Sequence, residues 1–213
     1  MAQLFAIHPV NPQQRLVDRA AEMIRGGAVI AYPTDSCYAL GCHLGDKAAV
    51  ERIRAIRQFD ETHHLTLVCS DLSQIAQYAR VDNRQYRLLK SATPGSYTFI
   101  LQATREVPRR LQHAKRSTIG LRVPDHPVAQ ALLAALAEPL LSATLILPED
   151  SLPLNDAQEI RNRLEKRLDL VIDSGPCGLD PTTVVDLTGE VPALVRRGRG
   201  DPGIFGLDGE DSP

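Results

Sequence analysis

Short groups of hydroxyl side chains recur along the sequence, each beside an apolar stretch. They are Thr34–Asp35–Ser36, Ser96–Tyr97–Thr98, Ser142–Ala143–Thr144 and Thr182–Thr183. Hydroxyls and exposed backbone amides at strand ends suit phosphate and carboxylate oxygens, because such anions need several hydrogen-bond donors. Arg122 in GLRVP and Arg196 in LVRRG place positive charge inside apolar segments. Each feature alone is typical of an ordinary turn or rim ion pair, but together they indicate an anion-binding site.

The first hydroxyl group lies in the stretch Ala28–Cys42, which has the sequence AVIAYPTDSCYALGC. An apolar run ended by Pro33 predicts a buried strand, and a second apolar run broken by Gly41 follows the polar turn. In open α/β sheets, ligands bind where buried strands end in such turns. The alternative is an ordinary strand and turn whose hydroxyls satisfy local backbone groups.

A second candidate is the basic stretch from Arg105 to Arg122, which holds six cations against the single acid Glu106. The whole chain, by contrast, has a formal net charge of −2. One interpretation is a solvated loop face, and the other is an edge that faces phosphates or RNA. Because no Phe, Tyr or Trp is interleaved, recognition of backbone and shape is favoured over base stacking. The residues expected to contact RNA are Arg109, Arg110, Lys115 and Arg116.

The composition indicates a globular protein, and the absence of several nucleotide-binding and catalytic motifs excludes some enzyme classes. The 213 residues are 43% hydrophobic and 23% charged, as in a globular protein with a substantial core. The P-loop pattern GxxxxGK[ST], the GxSxG pattern and the HExxH pattern are all absent. The four cysteines form no CxxC pair, so we expect buried reduced thiols and no structural metal. With no signal peptide or membrane-spanning run, the sequence predicts a cytoplasmic protein.

Helical and strand patterns alternate from end to end without a linker or an internal repeat. This alternation predicts a single α/β domain with an open, twisted, mixed sheet over residues 1–205. Residues 206–213 are acidic and contain glycine, and they predict a disordered tail. The clearest predicted strands cover 28–32, 65–69, 97–101, 118–123, 140–147, 170–172 and 183–187.

Six segments resemble the YrdC/YciO/Sua5 family, and they occur in family order over nearly the whole chain. The sequence looks most similar to the YciO branch, which stands apart from the threonylcarbamoyl-AMP synthases of the family. The segments are YPTDSCYALGC (32–42), TPGSYTFIL (93–101), GLRVPDHP (120–127), PLLSATLILP (139–148), TTVVDL (182–187) and ALVRRG (193–198).

The resemblance implies an open α/β domain with a positively charged concave face. The family activity joins threonine, bicarbonate and ATP into threonylcarbamoyl-AMP and releases pyrophosphate, usually with Mg²⁺. Another enzyme transfers the threonylcarbamoyl group to adenosine-37 of tRNA, which makes t6A. Family members are also associated with nucleotides and double-stranded RNA, so the resemblance implies nucleotide, threonylcarbamoyl-AMP, and double-stranded RNA or tRNA as partners.

The resemblance also implies roles for single residues. Thr34 is similar to a residue of the threonine pocket, and Arg122 to the arginine that pairs with the threonine carboxylate. Ser142 and Thr144 replace hydroxyls of the family's S-T-S-A-N turn, which contacts substrate and nucleotide. The residues implied on the nucleotide side are Thr182 and Arg196.

The sequence departs from the synthase pattern at five positions. Arg57, Phe59 and Asp60 fall where synthases carry the lysine, arginine and proline of K-x-R-P, so one of two cations is lost. His63 aligns with a further lysine, and Ile146 with the asparagine of S-T-S-A-N. Two hypotheses follow. One is an enzyme that makes threonylcarbamoyl-AMP weakly or hydrolyses it, and the other is a non-catalytic protein that binds double-stranded RNA or tRNA.

Overall fold

Ten strands form one sheet in the computed structural model, which describes residues 1–58 and 65–207. The strands are β1 (Gln3–Ala6), β2 (Ile30–Tyr32), β3 (Ala39–His43), β4 (Thr66–Val68), β5 (Tyr97–Gln102), β6 (Thr118–Arg122), β7 (Leu140–Thr144), β8 (Leu170–Asp173), β9 (Thr183–Asp186) and β10 (Ala193–Arg196). Their order across the sheet is β1-β8-β2-β3-β7-β4-β6-β5-β9-β10. Four neighbouring pairs are parallel and five are antiparallel. The predicted mixed, open α/β sheet is therefore confirmed.

Six α-helices connect the strands within the described residues. They are α1 (Gln14–Arg25), α2 (Lys47–Arg57), α3 (Leu72–Tyr78), α4 (Asn83–Ala92), α5 (Pro127–Leu136) and α6 (Ala157–Leu164). Carboxylates fix several helix starts: Asp46 accepts from the Ala49 amide at α2, and Asp82 forms a capping box with Gln85 at α4. None of these helices is long and apolar enough to cross a membrane.

The two faces of the sheet are covered unequally. Because side chains alternate along a strand, each face carries its own set. One face is apolar along most of the sheet and packs under α2, α3, α4 and α6. The other face packs under α1 and α5 along β1, β8 and β2, and this cluster reaches Ala39 of β3, Leu140 of β7 and Val68 of β4. The rest of that face, on β7, β4, β6, β5 and β9, forms the floor of a cavity.

The end of the described chain folds back as a short 3₁₀ turn, Pro202–Phe205. The Gly206 amide donates to the Gly203 carbonyl, and Leu207 packs against the core. These two residues belong to the predicted tail, whose remaining residues 208–213 lie outside the described part of the chain.

Because the cysteine thiols are buried, we expect the free energy of unfolding to fall at alkaline pH. All four are free thiols, and burial raises the pKa of Cys42, whose ordinary value is 9.0, to about 12. Above pH 9 the unfolded chain loses this proton while the native state keeps it, so the free energy of unfolding falls as pH rises. Cys42 contributes about 1 kcal/mol per pH unit to that fall. Urea denaturation of the wild type and Cys42→Ala at pH 8, 9 and 10 measures it. The variant is expected to show the shallower slope, and equal slopes would contradict the assignment.

Candidate functional site

A cavity of about 490 Å³ occupies the uncovered part of the sheet. The strand register explains its floor, because Thr66 of β4 lies opposite Ser142 of β7 on one side and Gly120 of β6 on the other. Ile100 of β5 continues this row beyond Gly120. A Cβ atom at Gly120 would lie 3.3 Å from both the Thr66 Oγ1 atom and the Thr98 Cγ2 atom. The glycine therefore keeps the middle of the floor open between two threonines.

Hydroxyl side chains line this cavity on every side. Several are committed to neighbours: the Thr98 and Thr182 hydroxyls lie 2.8 Å apart, and Ser142 donates to the Leu40 carbonyl at 2.9 Å. Each hydroxyl can both donate and accept, so such a lining suits ligand oxygens without adding charge. The lining hydroxyl residues are Ser36, Thr66, Thr98, Thr118, Ser142, Thr144, Ser151 and Thr182.

A buried ion pair forms one end of the cavity. Arg122 Nη2 donates to Asp35 Oδ1 at 2.5 Å, and both side chains are about nine-tenths buried. The other Asp35 oxygen accepts from the Ser96 hydroxyl at 2.6 Å, and Arg122 Nη1 donates to the Ser36 hydroxyl at 3.3 Å. The pair therefore joins the turn after β2 to the end of β6.

One nitrogen atom of Arg122 makes no hydrogen bond within the described structure. Its Nε atom is buried and has no hydrogen-bond partner among the described residues, although Arg122 lines the cavity. A buried donor without a partner costs about 1–3 kcal/mol. An acceptor on a ligand, such as a carboxylate oxygen, would remove that penalty.

Two further arginines lie in the cavity wall. Arg57, at the end of α2, donates to the Ile146 carbonyl, and burial lowers its pKa. Arg196 of β10 donates from Nη2 to the Thr182 carbonyl at 2.9 Å. Both guanidinium groups are thus oriented by a backbone carbonyl of the loop beside them.

Two ionisable groups stay protonated at neutral pH: the Cys37 thiol, which lines the cavity, and the Tyr32 phenol, which contacts a lining residue. Burial raises the pKa of the Cys37 thiol, although hydrogen bonding to Ser36 and the charge of Arg122 lower it in part. Burial also raises the pKa of Tyr32 to about 12, and its hydroxyl lies 2.9 Å from that of Ser142. Neither group is set up as an anionic nucleophile.

Most of the site residues predicted from sequence meet in this cavity. They are Arg57, Arg122, Ser142, Thr144, Thr182 and Arg196. Thr34 is 4% exposed and does not line the cavity, because its hydroxyl holds the turn by donating to the Cys37 carbonyl at 2.7 Å. Cys37, Thr66 and Thr118 also line the cavity but were not predicted from sequence. Thr66 and Thr118 are marked only by alternation within strands whose pairing the sequence does not specify, and Cys37 lies in the turn between β2 and β3.

The four residues expected to contact RNA, Arg109, Arg110, Lys115 and Arg116, are all exposed. Arg116 lines the cavity and pairs with Asp186 at 3.3 Å, whereas Arg109, Arg110 and Lys115 do not line it. RNA contact by this group stays a prediction. The departures at Phe59, Asp60 and His63 lie outside the described residues.

Carboxylates are scarce at this site. Among the described lining residues, Asp180 is the one acid, against four arginines. The described part of the chain also holds no cluster of three or more His, Cys, Asp or Glu that could bind a metal ion. The described lining residues therefore do not supply the set of oxygen ligands that would hold a metal ion.

Fold and site together define a single-domain α/β protein with a hydroxyl- and arginine-lined cavity on an open mixed sheet. The family model of the Sua5, YciO and YrdC proteins, described as Telomere recombination, matches residues 22–198. The chain belongs to this family.

Several relatives support the assignment. YciO of Escherichia coli (strain K12) is 57% identical over 201 residues, covering 94% of this chain and 98% of its own. Its crystal structure matches with a TM-score of 0.93 at 56% identity, over 96% of this chain and 100% of the other. A threonylcarbamoyl-AMP synthase of Cellvibrio japonicus is 35% identical over 85% of this chain and 95% of its own. P. abyssi Sua5 complexed with L-threonine matches with a TM-score of 0.84 at 25% identity, over 92% of this chain and 57% of the other.

The Arg122–Asp35 pair predicts a large effect of one conservative substitution. Asp35→Asn leaves the Arg122 charge buried without its counter-ion, so the free energy of unfolding should fall by about 3 kcal/mol. Urea denaturation at pH 7 measures this change. Asp125→Asn, at an exposed carboxylate without a hydrogen bond in the described structure, is the matched control and should change stability by less than about 0.5 kcal/mol. Equal effects of the two variants would show that the pair is not a stabilising contact.

Proposed function

We propose that the cavity binds threonylcarbamoyl-AMP and that the protein forms or consumes this adenylate. The observation that carries the proposal is the meeting of Arg57, Arg122 and Arg196 in one hydroxyl-lined cavity. The names of the relatives support the choice of ligand, because one is a threonylcarbamoyl-AMP synthase and another was crystallised with L-threonine.

The cavity offers a different surface to each part of such a ligand. Arg122 Nε, buried and without a partner among the described residues, suits the threonine carboxylate. Arg57 and Arg196 suit the phosphate oxygens. At the mouth, Leu152 and Leu179 are 54% and 39% exposed, and an adenine ring placed against them would bury apolar surface.

The reaction would use position and charge instead of a protein nucleophile. In synthesis, threonine and bicarbonate condense to N-carboxythreonine with loss of water, and a carbamate oxygen of this compound attacks the α-phosphorus of ATP. One P–O bond forms, the bond to the bridging oxygen breaks, and pyrophosphate leaves. In hydrolysis, water cleaves the mixed anhydride and gives AMP and the N-carboxy acid. Fixed donors around the phosphorus would stabilise the developing charge in either direction. With ATP, threonine and tRNA as the substrates of the pathway, we propose that the protein acts in the cytoplasm.

Two parallel reactions test the proposal. The protein is mixed with ATP, threonine, bicarbonate and Mg²⁺, or with preformed threonylcarbamoyl-AMP, while pyrophosphate and the adenylate are followed. Formation above the no-protein background would identify a synthase, and loss of preformed adenylate without formation would identify a hydrolase. Inertness in both reactions, with no binding of the adenylate by calorimetry, would overturn the proposal.

Arg196 should contribute strongly to binding. Arg196→Gln removes a charge from the cavity wall, and we expect affinity for threonylcarbamoyl-AMP to fall about tenfold by calorimetry. Arg87→Gln, at an exposed arginine of α4 outside the cavity, is the matched control and should bind as the wild type does. Equal affinities for the two variants would remove Arg196 from the site.

Ile146 should limit synthesis. It lines the cavity where the synthases carry asparagine, and an apolar side chain cannot hydrogen-bond to a ligand. We expect Ile146→Asn, alone or with Phe59→Arg, to raise the rate of pyrophosphate release several-fold. Ile146→Leu keeps the position apolar and serves as the control. If Ile146→Asn releases pyrophosphate no faster than Ile146→Leu, the departure does not explain a weak synthase.

A further inference from the structure

A second cavity, of about 700 Å³, lies beside the loop of residues 103–117. Three of the residues that line it are arginines, namely Arg80, Arg105 and Arg109. Among the described lining residues there is no Asp or Glu. The cavity therefore gathers three positive charges without a lining carboxylate, in a chain whose formal net charge is −2.

The loop that forms this cavity is anchored to the protein. Val107 and Leu111 are buried in the core, whereas Arg105 and Arg109, which alternate with them, are exposed. The Gln112 side-chain amide donates to the Val107 carbonyl at 2.8 Å, which closes the loop on itself. The two arginines are thus held on the outer side by the burial of the residues between them.

The three arginines of the second cavity differ from nearby arginines of the chain because their side chains have no partner among the described residues. Arg110 donates to the Gly45 carbonyl at 3.0 Å, and Arg116 pairs with Asp186. The guanidinium groups of Arg80, Arg105 and Arg109, by contrast, have no hydrogen bond or ion pair to any described residue. Like charges at one cavity repel each other, so an anion bound between them would relieve that repulsion.

We propose that this second cavity binds a phosphate group, and we name it the arginine cleft, defined by Arg80, Arg105 and Arg109. A planar guanidinium donates two parallel hydrogen bonds to phosphate, which makes three unpaired arginines a suitable receptor. His113 lines both the arginine cleft and the main cavity, so the two sites are adjacent but differ in their arginines. The phosphate is carried either by a free anion such as pyrophosphate or by a nucleic-acid backbone.

The test uses the double variant Arg105→Gln/Arg109→Gln. Pyrophosphate binding is measured by calorimetry, and binding of a fluorescent RNA duplex by anisotropy, both in 50 mM salt. We expect at least one of these affinities to fall about tenfold. The matched control is Arg15→Gln/Arg19→Gln, which removes two exposed charges from α1 and leaves both cavities intact. Arg80→Gln is measured as a third, independent change.

Each outcome decides the question. Weaker pyrophosphate binding relative to the control supports a site for a free anion, and weaker binding of the duplex alone supports a site for a backbone phosphate. Affinities equal to those of the control, in both the double variant and Arg80→Gln, would overturn the proposal. Threonylcarbamoyl-AMP binding is expected to be unchanged in the double variant and weakened in Arg196→Gln. Failure at the arginine cleft can therefore be distinguished from failure at the main cavity.

Discussion

The buried pair of Arg122 and Asp35 is the contact on which the main cavity depends. A charge removed from water is tolerated only when its partner is fixed beside it, so the turn after β2 and the end of β6 have to stay together. Ser36 and Ser96 bond to the same pair and are held with it. Both Nη atoms of Arg122 take part in these contacts. The Nε atom, which is buried and has no partner among the described residues, is available to a ligand at a position that the protein itself determines.

The second constraint is the number of helices available to cover a ten-stranded sheet. On one face, α1 and α5 cover β1, β8 and β2 and reach Ala39, Leu140 and Val68, and beyond them the same face carries threonine, serine and glycine. This change from apolar to hydroxyl side chains within one face keeps the uncovered part compatible with water. The cavity therefore occupies the part of this face that α1 and α5 do not cover. Gly120 makes it deeper because glycine has no side chain.

The strands could be predicted from sequence because their apolar runs are short and are ended by Pro, Gly or polar turns, as at Pro33. The grouping of hydroxyls correctly identified Ser142, Thr144 and Thr182 as neighbours in space. It did not identify Thr66, an isolated hydroxyl whose position depends on the pairing of β4 with β6 and β7. Thr34 shows the opposite case, because its spacing cannot reveal that its hydroxyl holds the turn.

The chemistry of the main cavity is limited by the protonation states of the side chains in and around it. Burial keeps the Cys37 thiol and the Tyr32 phenol protonated at neutral pH, and Asp35 is already occupied by Arg122. The cavity is thus left with neutral hydroxyls and guanidinium groups, which bind and stabilise anions but do not attack them. Such a lining supports a reaction in which both the nucleophile and the leaving group belong to the substrates. Arg57 donates a hydrogen bond to the backbone carbonyl of Ile146. A substitution of Ile146 would therefore change a side chain that lines the cavity and would also act beside the group that orients the Arg57 guanidinium.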